Sequence, residues 1–259
     1  MALEAVLFDL GGTLLHYHDW YADDHRQPFR RVTLAGIEAV LRRLAEDGVP
    51  LPPAEELRGT LDRRIEADYR ADWEARRGGS IERSVRAGLA EAGLDLTEAQ
   101  WAGVRPMLYS AVDAIVFPRA GVYETLHALR AAGCRLGLIS NTHWAADLHD
   151  RHLQEHGLLD LLPLRIYSCD TPFMKPHPGI FRLALDALGL PPEAAVYVGD
   201  RPDVDVEAAQ QVGMRGILIR SPYRTESGPG NAGGVAPDAI IDELPDLIPV
   251  LHGLERAGA

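Results

Sequence analysis

The second half of the chain alternates short apolar segments with amphipathic segments, and this alternation limits the fold more than any other feature. Each amphipathic segment repeats its apolar residues at helical spacing and ends at a glycine. We predict strands at residues 134–139, 164–169, 194–198, 215–219 and 239–241. Because strands joined through helices form right-handed crossovers, the pattern predicts a parallel sheet with helices on its faces.

A further strand is predicted at residues 5–8, far from the others in the sequence. It ends in a carboxylate, Asp9, which is followed by Gly11 and Gly12. Open α/β sheets bind ligands at the carboxyl ends of their strands, and paired glycines let the backbone turn sharply beside a bound group. The same residues are also typical of an ordinary turn, so this segment alone does not decide the function.

Residues 25–114 show helical spacing and no strand pattern. We therefore predict an α/β protein with a Rossmann-like parallel sheet flanked by helices and an inserted α-helical cap domain. The predicted core domain is residues 1–15 with 115–259, and the predicted cap is residues 16–114. The cap would hang above Asp9 as a lid, and Trp73 and Trp101 would lie in its core.

Composition and charge exclude several classes of partner. The net charge of −12 disfavours nucleic acid and anionic membranes, because their phosphates would be repelled. No apolar run is long enough to span a bilayer, and the first residues lack the basic region of a secretory signal. Cys134 and Cys169 are predicted to be reduced core residues. We expect a cytoplasmic protein with no nucleic-acid or membrane partner.

Two polar segments near the predicted strands favour an anion, although each has an ordinary explanation. Ser140 and Asn141 follow the strand at residues 134–139, where a hydroxyl beside a helix N-terminus suits an anion or simply caps the helix. Lys175 precedes Pro176 in a constrained segment. Its ammonium is either a fixed cation that neutralises a phosphate and a carboxylate, or the charged end of an exposed loop lysine.

Three carboxylates follow the strand at residues 194–198, namely Asp200, Asp203 and Asp205. Such a cluster repels itself unless it caps a helix, is solvated or binds a cation. Oxygen donors alone favour Mg²⁺. Charge at a helix N-terminus explains one aspartate more readily than three.

Taken in order, these segments resemble the four motifs of the haloacid dehalogenase-like superfamily. The matching residues are Asp9-Leu10-Gly11-Gly12-Thr13, Ser140-Asn141, Lys175-Pro176, and Gly199-Asp200 with Asp205. The resemblance covers the whole chain, and the helical insertion matches the family's α-helical cap between the first and second motifs. It implies a Mg²⁺-dependent hydrolase of small phosphomonoesters that works through an aspartyl-phosphate.

The resemblance also implies a role for each matching residue. Asp9 would be the nucleophile, with Lys175 and Ser140 as the other catalytic residues. Mg²⁺ would be held by Asp9, the backbone carbonyl of Gly11 and Asp200. Asp205 would orient the ligands or Lys175. The implied phosphate-binding residues are Gly12, Thr13, Ser140, Asn141 and Lys175.

One residue departs from the family pattern. Phosphatases of this family usually carry a second aspartate at the position of Gly11, and it protonates the leaving group. Glycine cannot transfer a proton, so we predict a slow phosphatase or one restricted to good leaving groups. The nearest candidates for a replacement acid are His16, His18 and Asp19, which are otherwise solvated linker residues.

Two alternatives stay open at this point. Dehalogenases of the family also lack the second aspartate, but they usually have tyrosine there and lack the Gly-Asp pair seen at Gly199 and Asp200. A non-catalytic protein that binds a phosphorylated metabolite is the other alternative. The expected partner is a small phosphorylated metabolite, and the expected assembly is a monomer or homodimer. The histidines at positions 149, 152 and 156 are predicted to lie on a solvated helix face.

Overall fold

The computed structural model describes residues 3–17, 28–113, 116–221 and 234–257, with side chains except at 28–31 and 255–257. The strands are β1 (Ala5–Phe8), β2 (Leu15–Tyr17), β3 (Val116–Pro118), β4 (Arg135–Ser140), β5 (Leu164–Tyr167), β6 (Ala195–Gly199), β7 (Arg215–Ile219) and β8 (Ala239–Ile241). The α-helices are α1 (Pro28–Glu46), α2 (Ala54–Glu74), α3 (Ile81–Glu91), α4 (Glu98–Asp113), α5 (Val122–Ala131), α6 (Ala146–Glu155), α7 (Pro178–Leu188), α8 (Glu207–Gln211) and α9 (Leu247–Ala257).

Six parallel strands form one sheet in the order β5–β4–β1–β6–β7–β8. β1 lies between β4 and β6, with Phe8 opposite Leu138 and Val198. The carboxyl ends of these three strands therefore lie side by side, which brings the segments after them together. The predicted α/β class with a Rossmann-like parallel sheet is confirmed.

The central strand, β1, explains why the sheet could be predicted from the sequence. All four residues of β1 are fully buried. Val6 and Phe8 pack into one apolar cluster, and Ala5 and Leu7 pack into a second. A strand covered on both faces needs an unbroken apolar run, and the sequence supplies one.

A small antiparallel ribbon of β2 and β3 was not predicted. His16 pairs with Phe117, their rings are 5.2 Å apart, and His16 is buried. The interpretation of His16 as a solvated linker residue is therefore wrong, whereas His18 and Asp19 lie outside the described residues. β2 crosses the predicted boundary between residues 15 and 16, and the division into domains stays a prediction.

Residues 28–113 contain the four helices α1–α4 and no strand, as their helical spacing predicts, and their role as a cap stays a prediction. α1 packs on α4, and α2 packs on α3. Trp101 is buried in this bundle, as predicted. The prediction for Trp73 is wrong, because its indole is only half-buried and faces the Arg201 guanidinium instead of the bundle core.

Two further properties concern the described residues as a whole. None of their helices combines the length and apolar character needed to cross a membrane. Cys134 and Cys169 are half-buried free thiols.

The contact between α1 and α4 depends on the absence of a side chain at Gly36. A Cβ atom there would lie 2.1 Å from the backbone oxygen of Leu108. We expect Gly36→Ala to lower the free energy of unfolding by about 1–3 kcal/mol, because the two helix backbones would have to separate. Urea denaturation followed by circular dichroism measures the change.

A matched control is Gly103→Ala on α4. A Cβ atom there meets no described atom within 4 Å. This substitution should stabilise the protein by roughly 0.5–1 kcal/mol through helix propensity alone. Equal effects of the two substitutions would contradict the packing argument.

Candidate active site

Lys175 lies at the centre of the candidate site. Its ammonium donates to Asp9 Oδ1 at 2.7 Å, to Asp205 Oδ1 at 2.7 Å and to the Tyr197 hydroxyl at 2.8 Å. The residue is 1% exposed. Because an ammonium has three donors, these contacts use all of them and hold the charge in one place. Lys175 is therefore a fixed buried cation, not an exposed loop lysine.

Neighbouring segments bind both the backbone and the ammonium of Lys175. The Asn141 side-chain amide donates from Nδ2 to the Lys175 carbonyl at 2.7 Å, and its Oδ1 accepts from the Lys175 N–H at 2.7 Å. Tyr197 accepts from the ammonium and donates to the Ile139 carbonyl at 2.8 Å. Tyr197 was not predicted from the sequence, although a hydroxyl in a fully buried strand needs a partner and could have indicated this role.

Three buried carboxylates lie together at this site. Asp9, Asp200 and Asp205 each offer one oxygen, and these oxygens lie within 4.8 Å of one another. Asp205 has both oxygens engaged, since Oδ2 accepts from the Arg201 N–H at 3.0 Å. The ammonium pairs with two carboxylates, Asp9 and Asp205, so these three groups carry net negative charge out of water, which a hard divalent cation would offset. The donor set therefore fits such an ion.

Burial changes the proton affinity of this cluster. It raises the pKa of Asp9 to about 7, with Asp205 and Asp200 adding to the increase and Lys175 opposing it. Burial also lowers the pKa of Lys175, but Asp205 and Asp9 outweigh burial and raise that pKa above its ordinary value. A bound cation would favour the ionised form of Asp9.

The turn after Asp9 is built from internal hydrogen bonds. Gly12 has a positive φ of 84°, donates its N–H to the Leu15 carbonyl and accepts from Arg119. Arg119 also donates to carbonyls near the ends of β7 and β8 and was missed by the sequence analysis. Thr13 is fully buried. Gly12 and Thr13 shape the turn in this structure, and their phosphate contacts stay predictions.

Ser140 and Gly11 lie beside Asp9 at the same edge of the sheet. Ser140 ends β4 and is buried, whereas Gly11 is half-buried. An added Cβ at Gly11 would lie 3.6 Å from the Tyr17 ring, which is ordinary van der Waals contact. Among the described residues, a Cβ atom at position 11 therefore has space beside Tyr17.

Tyr17 also connects this turn to the segment after β4. Its hydroxyl hydrogen-bonds His149 Nδ1 at 3.2 Å, and His149 Nε2 hydrogen-bonds the Thr142 hydroxyl at 2.8 Å. Burial lowers the pKa of His149 to about 3, so the ring is neutral. The predicted solvated face is wrong for His149 and His152, which are 3% and 1% exposed.

The sequence model of the family described as haloacid dehalogenase-like hydrolase matches residues 3–213. Glyceraldehyde 3-phosphate phosphatase from Methanopyrus kandleri is 29% identical over 98% of this chain and 99% of its own length. Pyrophosphatase PpaX from Bacillus cereus is 28% identical over 56% of this chain and 64% of its own length, less than two thirds.

A solved structure gives a similar result for the fold. A 2-haloacid dehalogenase from Pseudomonas syringae superposes with a TM-score of 0.64 at 25% identity and covers 97% of this chain and 99% of its own. Relatives of nearly the same length thus carry the names of different reactions. The choice among those reactions has to come from the residues at the site.

Proposed function

This chain belongs to the haloacid dehalogenase-like hydrolase family, and from that premise we propose that it is a Mg²⁺-dependent phosphatase of small phosphomonoesters. The observation that carries the proposal is the buried Lys175 ammonium held between Asp9 and Asp205, with Asp200 beside them. This arrangement supplies a carboxylate nucleophile, a fixed cation and a set of oxygen donors within one cluster.

Asp9 is the proposed nucleophile. Lys175 holds its Oδ1 atom, which leaves Oδ2 to attack phosphorus and displace the alcohol, forming an aspartyl-phosphate. Water then cleaves the new acyl–phosphate bond and releases phosphate. A carboxylate and a phosphate repel each other, so the attack needs the positive charge that Lys175 provides.

Asp9, Asp200 and the backbone carbonyl of Gly11 would hold Mg²⁺. When bound, the ion would neutralise phosphate charge beside the nucleophile. Asp205 positions Lys175, since both Asp205 oxygens already accept hydrogen bonds. The Ser140 hydroxyl and the Asn141 backbone amide complete the proposed phosphate contacts, while the Asn141 side chain orients the Lys175 segment. We also propose that helices α1–α4 form a cap over this site.

The site contains a nucleophile but no aspartate at position 11 to protonate the leaving group. We therefore propose slow turnover of alkyl phosphates and faster turnover of activated esters, whose leaving groups need little protonation. Asp200 favours this proposal over carbon–halogen hydrolysis, because a third carboxylate beside the nucleophile suits a metal ion.

Hydrolysis of para-nitrophenyl phosphate tests the proposal. We expect the purified protein to release nitrophenol with Mg²⁺, to lose at least 90% of that rate in excess chelator (roughly the loss of one metal-ion contribution), and to recover when Mg²⁺ is restored. A rate that survives chelation would contradict the metal assignment. Absence of turnover at any metal concentration would contradict phosphatase activity.

A further inference from the structure

Four side chains meet beside the candidate active site and are not used by the reaction proposed above. The Arg201 guanidinium lies over the Trp73 ring of α2, 5.4 Å from its centroid. Tyr69 lies one turn earlier on α2, and its ring is 4.8 Å from the His143 ring. Arg201 acts electrostatically on Tyr69, opposing the increase in its pKa that burial causes. We call Tyr69, Trp73, His143 and Arg201 the Arg201 cluster.

The topology places this cluster beside Asp9. Arg201 directly follows Asp200 at the end of β6, and His143 follows Thr142 in the segment after β4. β1, which carries Asp9 at its end, lies between those two strands. The other two members of the cluster, Tyr69 and Trp73, come from α2 in the insertion. The organic part of an ester whose phosphate lay at Asp9 would therefore extend toward the Arg201 cluster.

Arg201 and His143 retain unused hydrogen-bonding capacity. Among the described residues, Arg201 makes one ion pair, with Asp203 at 3.3 Å, and its Nε atom is buried without a hydrogen-bond partner. His143 Nε2 is also buried without such a partner and lies 3.9 Å from Asp72, beyond hydrogen-bond distance. A buried polar atom left unpaired is costly, and a guanidinium is best satisfied by an anion.

We propose that Arg201 binds a carboxylate on the substrate, so that the preferred substrates are small phosphomonoesters that carry a carboxylate a few bonds from the phosphate. This inference rests on the proposed phosphatase activity and names its substrate class. A planar carboxylate matches the guanidinium fork. Because Asp203 already offsets part of the Arg201 charge, a singly charged group fits better than a second phosphate. The rings of Trp73 and Tyr69 would line the space for the carbon chain of the substrate.

Two esters that differ only at one end test the proposal. In phosphoglycerate, a carboxylate replaces the terminal hydroxymethyl group of glycerol phosphate. With Mg²⁺ present, we expect the wild-type protein to show a kcat/KM roughly ten- to one-hundred-fold higher for phosphoglycerate, the range for a charge-assisted hydrogen bond. In Arg201→Met this ratio should fall close to one.

Methionine is chosen because it keeps the length of the side chain beside Trp73. The Arg201 backbone bonds to Asp205 and Val206 do not depend on the side chain. Arg201→Lys retains the charge without the fork and should give an intermediate ratio. Arg70→Met on the exposed face of α2 is the matched control and should keep the wild-type ratio.

Two outcomes would overturn the inference. Wild-type protein that hydrolyses para-nitrophenyl phosphate but treats both esters alike has no carboxylate site, although the phosphatase proposal stands. If folded Arg201→Met and Arg201→Lys proteins both keep the wild-type ratio of kcat/KM for the two esters, another residue selects the carboxylate. Wild-type protein inert toward all three esters overturns the phosphatase proposal itself.

Discussion

Asp9→Asn is expected to lower the hydrolysis of para-nitrophenyl phosphate by roughly 10⁴-fold or more, which is typical of the loss of a covalent nucleophile. An amide has nearly the same shape as the carboxylate, but it cannot attack phosphorus. The substitution also removes one of the two carboxylates that hold the Lys175 ammonium. Initial rates with Mg²⁺ measure the loss, and mass spectrometry of acid-quenched protein detects the phosphorylated wild-type intermediate.

The matched control is Asp186→Asn on the exposed surface of α7, which should keep the wild-type rate. An Asp9→Asn protein that retains a tenth of the wild-type rate would show that Asp9 is not the nucleophile. Wild-type protein that binds phosphate and Mg²⁺ without turnover would favour the non-catalytic alternative. Hydrolysis of halogenated acids in place of esters would favour a dehalogenase.

The sheet was predictable because burial on two faces imposes a simple pattern. β1, β7 and β8 begin and end at the predicted residues, since each apolar run is bounded by polar or turn residues. β2 and β3 were missed because each has only three residues and their partners lie about one hundred positions apart. No local pattern specifies such a pairing.

The candidate site likewise contains residues that the sequence pointed to and residues that it did not. Asp9 and Asp200 directly follow β1 and β6. The structure places Lys175, Asp200 and Asp205 together with Asp9, and their roles stay predictions. Tyr197 and Arg119 were missed, because their contacts join segments that are distant in the sequence. Their roles depend on the assembled sheet.

Helical spacing likewise showed that His149 and His152 share a face but not which way the face points. Tyr17 of the unpredicted ribbon packs against that face and buries it. The error at these histidines therefore follows from the missed pairing of β2 with β3.

Gly11→Asp is the substitution with the second largest expected effect, and the change is a gain. We expect kcat for alkyl phosphates to rise roughly 10²-fold, the lower end of what a general acid–base group contributes. Among the described residues, a Cβ atom at position 11 meets the Tyr17 ring alone, at 3.6 and 3.8 Å, and Gly11 is not among the glycines with positive φ. The backbone therefore accepts a side chain there without strain.

The size of the gain should depend on the leaving group. An alkoxide needs a proton as it departs, whereas nitrophenolate does not, so the ratio of alkyl to aryl turnover should rise in Gly11→Asp. Gly11→Asn fills the same space without an ionisable proton, and Gly11→Ala tests the added Cβ alone. Neither control should change that ratio. If Gly11→Asp and Gly11→Asn behave alike, the missing carboxylate does not limit turnover. In that case either another group supplies the proton or departure of the leaving group is not the slow step. The ratio of alkyl to aryl turnover separates the two, because only a slow departure makes the rate depend on the leaving group.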